Sequence, residues 1–595
     1  MNSIESKIYR RICEILGRYS PLWGKIDKSY FRKLERPLKL SDLGVKYEEV
    51  GKSCLNLLFL GLSISIILIV LHHVIEALLA FSILCFLIYF LVEYPGRRAR
   101  LMRIEELRNY PEMLIYLSSY LKVNPNLERA VDFTTQNIRG KLSKRLRSIL
   151  RRSLLEGNLK ERLVNLVREL DEGLSKEFYY LILSLSESVE ERRKEILDRG
   201  LNLALDNLLR RFKEFSHSLY LPTLLIFSLG TVLPLILISF FPIVLIFFRV
   251  ELNYAYFFVL PFLSLIGVWV CFNKLIERRP EVSSSSIEIP ETQEVNHSYL
   301  FLIFFSISFP SVIPFLNFFG TGNLGNGWLF LFLPTSIVAT ISLGFWLKGR
   351  GRVKKLIENE RMEEEIIGFN YSIASMIRER KSIEEALSFW LKNCKESQLS
   401  KLVSKLLRRI RKLGLSLEEG IRDKKYGILN EIFSEKVRTS FRILSMEWKN
   451  SEVLADILFT ITSYFEELKR IEEEGKLMLR QTISVMRLTA VLFAPLTCGL
   501  VIGMYHLLQT TFLRMVSTQV PFFLISMNPF SVGVEILQFI LGIYLIILSL
   551  LLLKISTFLE FGPNKLKFES RICKLLPISF SIFMITSILS VLILG

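Results

Sequence analysis

Two stretches of this chain concentrate basic side chains at helical spacing. Lys141, Lys144, Arg145, Arg147, Arg151 and Arg152 form the first. Lys401, Lys405, Arg408, Arg409, Arg411 and Lys412 form the second. Residues three and four apart are neighbours on a helix, so each stretch can present a row of ammonium and guanidinium groups to one partner. The chemistry is anion recognition, directed at an acidic protein surface or at anionic lipid. A solvated helix face is the plain alternative for either stretch alone, and recurrence at a matched place favours a shared partner surface. Nucleic acid fits poorly, because no aromatic side chains interleave with the basic ones.

No other pattern in the sequence is arranged for catalysis. It contains no P-loop, HExxH, GxSxG or zinc-ligand spacing. His72, His73, His217, His297 and His506 do not cluster with Cys or Asp at ligand spacing. Cys13, Cys54, Cys85, Cys271, Cys394, Cys498 and Cys573 are scattered without a CxxC pair, and read as small hydrophobes rather than structural disulfides. Glu76 and Glu535 lie near the ends of apolar runs and Arg487 at the entrance of one, positions that allow snorkelling. The runs Glu363-Glu364-Glu365 and Glu472-Glu473-Glu474 read as solvated helix faces. The expectation is a protein that is not an enzyme and holds no metal or cofactor.

The basic stretches need a scaffold, and composition indicates its kind. The chain is 51% hydrophobic yet carries a net charge of +18. That average hides long apolar runs alternating with long charged helical runs. A bilayer core takes about 20 apolar residues in a helix. Nine segments qualify: 55–71, 75–92, 220–248, 254–272, 299–319, 328–346, 488–508, 530–553 and 575–594. The third carries Pro222, Pro234 and Pro242, so a kink, tilt or break is expected there. Lys and Arg near the segment ends fall on one side if the N-terminus is cytoplasmic, at Arg97, Lys274, Lys348 and residues 554–574.

The fold expected is all-α: a polytopic membrane protein with about nine transmembrane helices and two duplicated cytoplasmic helical-bundle domains. A basic cytoplasmic segment, 1–54, precedes spans 55–92, and the first domain covers 97–219. Spans 220–272, a linker at 273–298 and spans 299–346 follow. The second domain covers 348–484. Spans 485–553, a basic cytoplasmic loop at 554–574 and a final span at 575–595 complete the chain. Residues 283–295 read as a flexible hinge between the halves. Both domains read as helical from apolar residues at three- and four-residue spacing, such as Leu142, Leu146, Ile149, Leu150 and Leu154. Asn126 is a candidate N-cap, and Ser382 with Glu385 a candidate capping box.

An internal repeat ties these parts together. Leu127-Glu-Arg-Ala130 and Ile383-Glu-Glu-Ala386 lie about 256 positions apart, and Leu142-Ser-Lys144 and Leu399-Ser-Lys401 keep nearly that offset. Ile182-Leu-Ser-Leu185 matches Ile443-Leu-Ser-Met446, and Leu233-Pro-Leu235 matches Ala494-Pro-Leu496, both at about 261. The common order favours one duplication. Pro234 and Pro495 thus hold matched places shortly after each domain re-enters the bilayer, and are candidate hinges.

With these motifs in view, the chain resembles the F-protein domain of type II secretion and type IV pilus systems, in the two-domain form of archaeal pilus and archaellum platform proteins. The residues that carry this are the helix starts at Leu127 and Ile383, following helix entries at Pro111 and Gly368. The membrane-entry segments Leu221-Pro-Thr to Pro234-Leu and Met486-Arg-Leu-Thr to Gly499 carry the rest. The family often has a small residue or Gly just before the helix start, where this chain has Lys122-Val-Asn-Pro125 and Arg380-Lys381. The resemblance implies a platform in the cell membrane, a homodimer of such chains, a hexameric secretion ATPase as partner, and pilin-like or archaellin subunits as the cargo. Two other readings stand beside it: a secondary transporter with broken helices at the matched prolines, and a membrane scaffold without a motor partner.

Overall fold

The computed structural model describes residues 9–15, 17, 34–40, 43–70, 84, 87–100, 106–107, 109–138, 140–171, 174–248, 255–279, 304, 306, 309–311, 332–394, 397–423, 425–446, 451–517, 533–562 and 564–594. Among them every regular element is helical. The chain divides into two units, 1–107 and 108–595.

The first unit holds α1 (Glu35–Leu40) and α2 (Tyr47–Val70). Glu48 and Glu49 occupy the first turn of α2, where the helix dipole favours carboxylates, and the apolar run follows. Tyr9, Cys13, Leu38, Val50, Cys54 and Leu91 form a small core. The Tyr9 hydroxyl donates to the Leu91 carbonyl at 2.9 Å.

The second unit opens with α3 (Tyr110–Val123), α4 (Leu127–Asn137), α5 (Lys141–Glu156), α6 (Leu159–Leu170), α7 (Ser175–Ser184) and α8 (Glu190–Ser218). Next come α9 (Tyr220–Phe227), a π turn at Ser228–Val232, α10 (Leu233–Phe248) and α11 (Ala255–Arg278). A second run begins with α12 (Phe332–Arg378), α13 (Ile383–Asn393), α14 (Gln398–Leu413), α15 (Leu417–Arg422) and α16 (Glu435–Leu444). It continues through α17 (Ser451–Leu488), a π turn at Thr489–Phe493, α18 (Ala494–Ser517) and α19 (Val534–Phe561), and ends with α20 (Lys565–Leu594). The two runs follow one order. α4 and α13 are both 11 residues long, α5 and α14 both 16, α7 and α16 both 10, and both π turns 5.

Local signals explain several boundaries. Asn126 accepts from Arg129 N–H at 3.0 Å and starts α4. Ser382 and Glu385 form a full capping box at the start of α13. Pro111 lies in the first turn of α3, where its missing N–H costs no helix bond. Gly368 behaves differently from expectation. It lies inside the 47-residue α12 rather than at a helix entry. One glycine costs a helix interior about 1 kcal/mol, too little to break a helix packed against α17 and α20.

Six described helices are long and apolar enough to cross a membrane: Tyr47–Ile67, Glu190–Phe240, Phe332–Arg378, Ser451–Arg514, Val534–Phe561 and Lys565–Ile593. They contain most of the expected spans 55–71, 220–248, 328–346, 488–508, 530–553 and 575–594. The expected span 254–272 falls in α11, whose apolar part, Pro261–Leu275, is shorter. Expected spans 75–92 and 299–319 fall largely outside the described residues, as do the His72-His73 link and the 283–295 hinge. The stretch 554–574 is not a loop. Helix α19 reaches Phe561 and α20 starts at Lys565, so the two take up nearly all of it, and Asn564 accepts from Lys567 N–H at 3.3 Å to start α20. Its charges mark helix ends that project past the apolar region, a pattern that looks loop-like in a hydropathy profile.

Candidate functional site

Each basic stretch folds as one amphipathic helix. On α5, Leu142, Leu146 and Leu150 are buried, and Ser143 Oγ donates to the Thr135 carbonyl at 2.9 Å. That fixes which face is left outside. Lys144, Arg147, Arg151 and Arg152 are exposed, and Lys141 and Arg145 are half-buried. Arg145 pairs with Glu169 on α6 at 2.5 Å. The helix ends in Leu154 and Leu155, which are 65% and 87% exposed, so an apolar tip adjoins the basic face.

On α14, Leu399, Val403, Leu406, Leu407 and Ile410 turn inward. Ser397 caps the helix by accepting from Ser400 N–H at 2.9 Å. Glu365 of α12 accepts from Leu399 N–H at 2.9 Å, a carboxylate at the positive end of the helix. Lys401, Lys405, Arg408, Arg411 and Lys412 are exposed and Arg409 is half-buried. The six are not equivalent. Lys405 and Arg409 both hold Glu431, at 2.8 and 2.7 Å, and Arg409 also donates to the Tyr426 carbonyl. The Lys405 hydrogen bond, joined by Arg409 and opposed by partial burial, keeps the Glu431 carboxyl below its usual range. Lys405 and Arg409 therefore serve the block itself, while Arg408, Arg411 and Lys412 face outward.

The two acidic runs are more than the solvated faces that the sequence suggests. Glu363 accepts from Ser434 Oγ at 2.6 Å, Glu365 caps α14, and Glu472 has a buried carboxyl oxygen. Glu363, Glu364, Glu472 and Glu473 line a cleft of about 270 Å³ with Lys436 and Lys469, where α12 and α17 approach α19. Burial pulls the Lys436 ammonium down, but the carboxylates of Glu472, Glu363 and Glu112 outweigh it and its pKa is raised. Tertiary packing brings these groups together from positions up to several helices apart, so periodicity alone does not reveal them. Glu364 and Glu473 are exposed, as a solvated face requires.

Pro234 and Pro495 each stand two residues past a π turn in a helix that continues through it. Glu190–Phe240 and Ser451–Arg514 are helical stretches of 51 and 64 residues, the first with a single turn residue at Leu219. At the α-helical rise the longer one extends roughly 95 Å. In each turn the backbone steps by five: Leu233 N–H donates to Ser228 O, and Ala494 N–H to Thr489 O. The proline that follows has no N–H, so carbonyls one turn back lose their helix donor. Side chains of other helices replace it. The Tyr544 hydroxyl of α19 donates to Gly230 O. Ser549 of α19 and Ser579 of α20 donate to Ala490 O at 3.2 and 2.8 Å.

Before the second π turn, Arg487 has a carboxylate partner. Glu560 at the end of α19 binds both Arg487 and Arg571, each at 2.6 Å. Nearby, Arg352 of α12 pairs with Glu569 of α20 at 3.1 Å, with side chains only 8% and 2% exposed. The base of the second run is thus tied to α12, α17, α19 and α20 by charge.

The two runs also touch each other. The Tyr464 hydroxyl of α17 donates to Asp198 of α8 at 2.8 Å, and Asp198 pairs with Lys122 of α3. Arg442 donates to the Gln136 carbonyl at 2.9 Å. Gly475 lets α17 approach α8 closely; a Cβ there would fall 2.9 Å from the Phe212 ring. Set against known proteins, the chain matches no family model, no curated protein and no solved structure.

Proposed function

We propose that this chain is a platform protein of a type IV pilus-like or archaellum assembly machine in the cell membrane. In this reading the N-terminus is cytoplasmic and the chain is a parallel duplication of a two-span, helical block, two-span unit with one added helix. A hexameric secretion ATPase engages the basic helices of the two cytoplasmic blocks, and the chain relays its motion to pilin-like or archaellin subunits in the bilayer. The family resemblance rests on the residues quoted above. The observation that carries the mechanical part is helix continuity. Phe332–Arg378 and Ser451–Arg514 each run without interruption from a charged block into an apolar segment, and Glu190–Phe240 does so with one turn residue, Leu219, at the junction. A push on α5 or α14 is then delivered to the spans through a stiff connection rather than a loop.

The secondary-transporter reading gains one observation, the π turns at both matched prolines, since broken helices line transport sites. However, the carbonyls freed at Gly230 and Ala490 are occupied by Tyr544, Ser549 and Ser579. A coordination site needs such carbonyls open to a cavity.

The test is a pull-down of the secretion ATPase encoded in the same organism. Reversing Arg147, Arg151 and Arg152, or Arg408, Arg411 and Lys412, to Glu should abolish or strongly weaken capture, and added salt should weaken the wild-type complex. These exposed charges contribute little to stability, so the blocks stay folded. Undiminished capture by both variants would reduce the two helices to solvated or lipid-facing surfaces.

A further inference from the structure

The two charged blocks meet head to tail. Within the chain α17 packs on α3. The Tyr116 hydroxyl of α3 donates to Thr439 Oγ1 of α16 at 3.4 Å, and Arg442 of α16 donates to the Gln136 carbonyl of α4 at 2.9 Å. The first block thus gives its α3–α4 face and the second its α16 face. Among the described residues no extensive packing of α7 or α8 on α12 or α13 makes the reverse contact.

The repeat identifies the residues that the reverse contact would use. Helices α4 and α13 start at Leu127 and Ile383, 256 residues apart. At that offset Met113, Leu117 and Leu121 match Phe369, Ile373 and Ile377, and all six are buried. Tyr116 then matches Ser372, and Phe133 matches Phe389. Tyr116 and Phe133 are 2% and 3% exposed, whereas Ser372 is half-buried and Phe389 is 48% exposed. Ser119 is buried and its counterpart Ser375 exposed. Helices α7 and α16 start at Ser175 and Glu435, 260 apart, one less than the sequence match there suggests. At that offset Leu181 and Phe441 are both buried. Thr439 and Ile443, one turn apart on α16, are buried as well, but their counterparts Tyr179 and Leu183 are 63% and 40% exposed. Each chain therefore leaves uncovered, among its described residues, two faces whose counterparts bind each other.

Both faces lie far from the apolar segments. α7 packs on α8 at Gly200, where a Cβ would meet Tyr180 Cβ at 2.7 Å. The apolar segment begins at Tyr220, about 30 Å along the helix. On the other face, Tyr371 donates to Glu466 of α17 at 3.1 Å, and Glu466 is about 30 Å from Leu488. Charge suits a match between the faces. Glu187, Glu190 and Glu191 follow α7, while Lys381 lies 5.5 Å from the Phe389 ring and Lys392 stands one turn along α13.

We propose that the α7 face of the first block, bearing Tyr179 and Leu183, docks on the second block of another copy of this chain, at the α12–α13 face bearing Ser372, Ser375 and Phe389. This repeats between chains the contact made within each, and two chains placed reciprocally use all four faces. It rests on reading the two runs as repeats and is independent of the ATPase.

The test uses full-length chains with two different tags, co-expressed in a Cys394→Ser background, one carrying Tyr179→Cys and the other Ser372→Cys. Oxidation should give a mixed-tag disulfide several-fold more abundant than Ser148→Cys gives with Ser372→Cys. Leu183→Glu or Phe389→Glu should lower that adduct several-fold, with the melting of each variant in detergent unchanged. A mixed adduct no more abundant than the control would overturn the proposal. So would a preference for same-tag adducts between two Tyr179→Cys chains, which would mean a like-with-like contact. A Tyr179→Cys thiol shielded from reagent in the monomer would also overturn it, since another segment of the same chain would then cover the face. ATPase capture by the same chains reports on the platform reading separately.

Discussion

Asn126 and Ser382 cap helices at matched places in the two runs, each by accepting from the backbone N–H three residues on. A cap of this kind stabilises by about 1 kcal/mol, so Asn126→Ala and Ser382→Ala should each lower stability by about that amount in denaturant unfolding of the detergent-solubilised protein. These caps were legible in the sequence because donor and acceptor are three positions apart. Glu431 was not, because its partners Lys405 and Arg409 lie on another helix. Its carboxyl is depressed, so the stability it contributes is present above the ordinary carboxylate range and lost as pH falls through its lowered value. Glu431→Gln should therefore be less stable than wild type at neutral pH, and the difference should close below about pH 4. A difference that persists in acid would mean that Glu431 acts through packing rather than charge. The same geometry separates the basic residues into two classes that sequence alone could not tell apart: those spent on Glu431 or Glu169, and those left facing outward.

Elements show a different balance between what could and could not be read. The prolines and the apolar runs around them were visible, but the continuation of helix from those runs back into the charged blocks was not. The π turns were not visible, because a five-residue backbone step has no side-chain signature. The 554–574 stretch was misread for a related reason: a charged helix end beyond the apolar region resembles a loop when only hydropathy is counted. Two predictions belong here. Pro234→Ala with Pro495→Ala restores two backbone donors that compete with Tyr544, Ser549 and Ser579 for the freed carbonyls. If the π turns are hinges, the double variant inserts and binds the ATPase but assembles few or no filaments, and normal filament numbers by electron microscopy would show that the prolines only fit packing. The Arg352–Glu569 pair is buried, and removing one partner from such a pair costs about 3 to 5 kcal/mol. Glu569→Gln should accordingly lower the melting temperature strongly, while Arg352→Met with Glu569→Met should recover much of the loss.

At the scale of the whole molecule, the all-helical class and the alternation of apolar and charged segments were written in composition, because a bilayer imposes length and hydropathy on anything that crosses it. Six helices meet those requirements among the described residues. The packing of one run on the other, through Tyr464, Asp198, Lys122 and the close approach at Gly475, was not written there, since it depends on shape across helices distant in sequence. The account as a whole requires both charged blocks to face one compartment, with the uncharged 320–327 segment on the other side. Cysteine labelling of intact cells with a membrane-impermeant reagent tests this most directly. Ser148 and Lys412 are exposed positions on α5 and α14. The account predicts that Gly322→Cys is labelled in intact cells, and that Ser148→Cys and Lys412→Cys are labelled only after permeabilisation. Labelling of either block position in intact cells would contradict it.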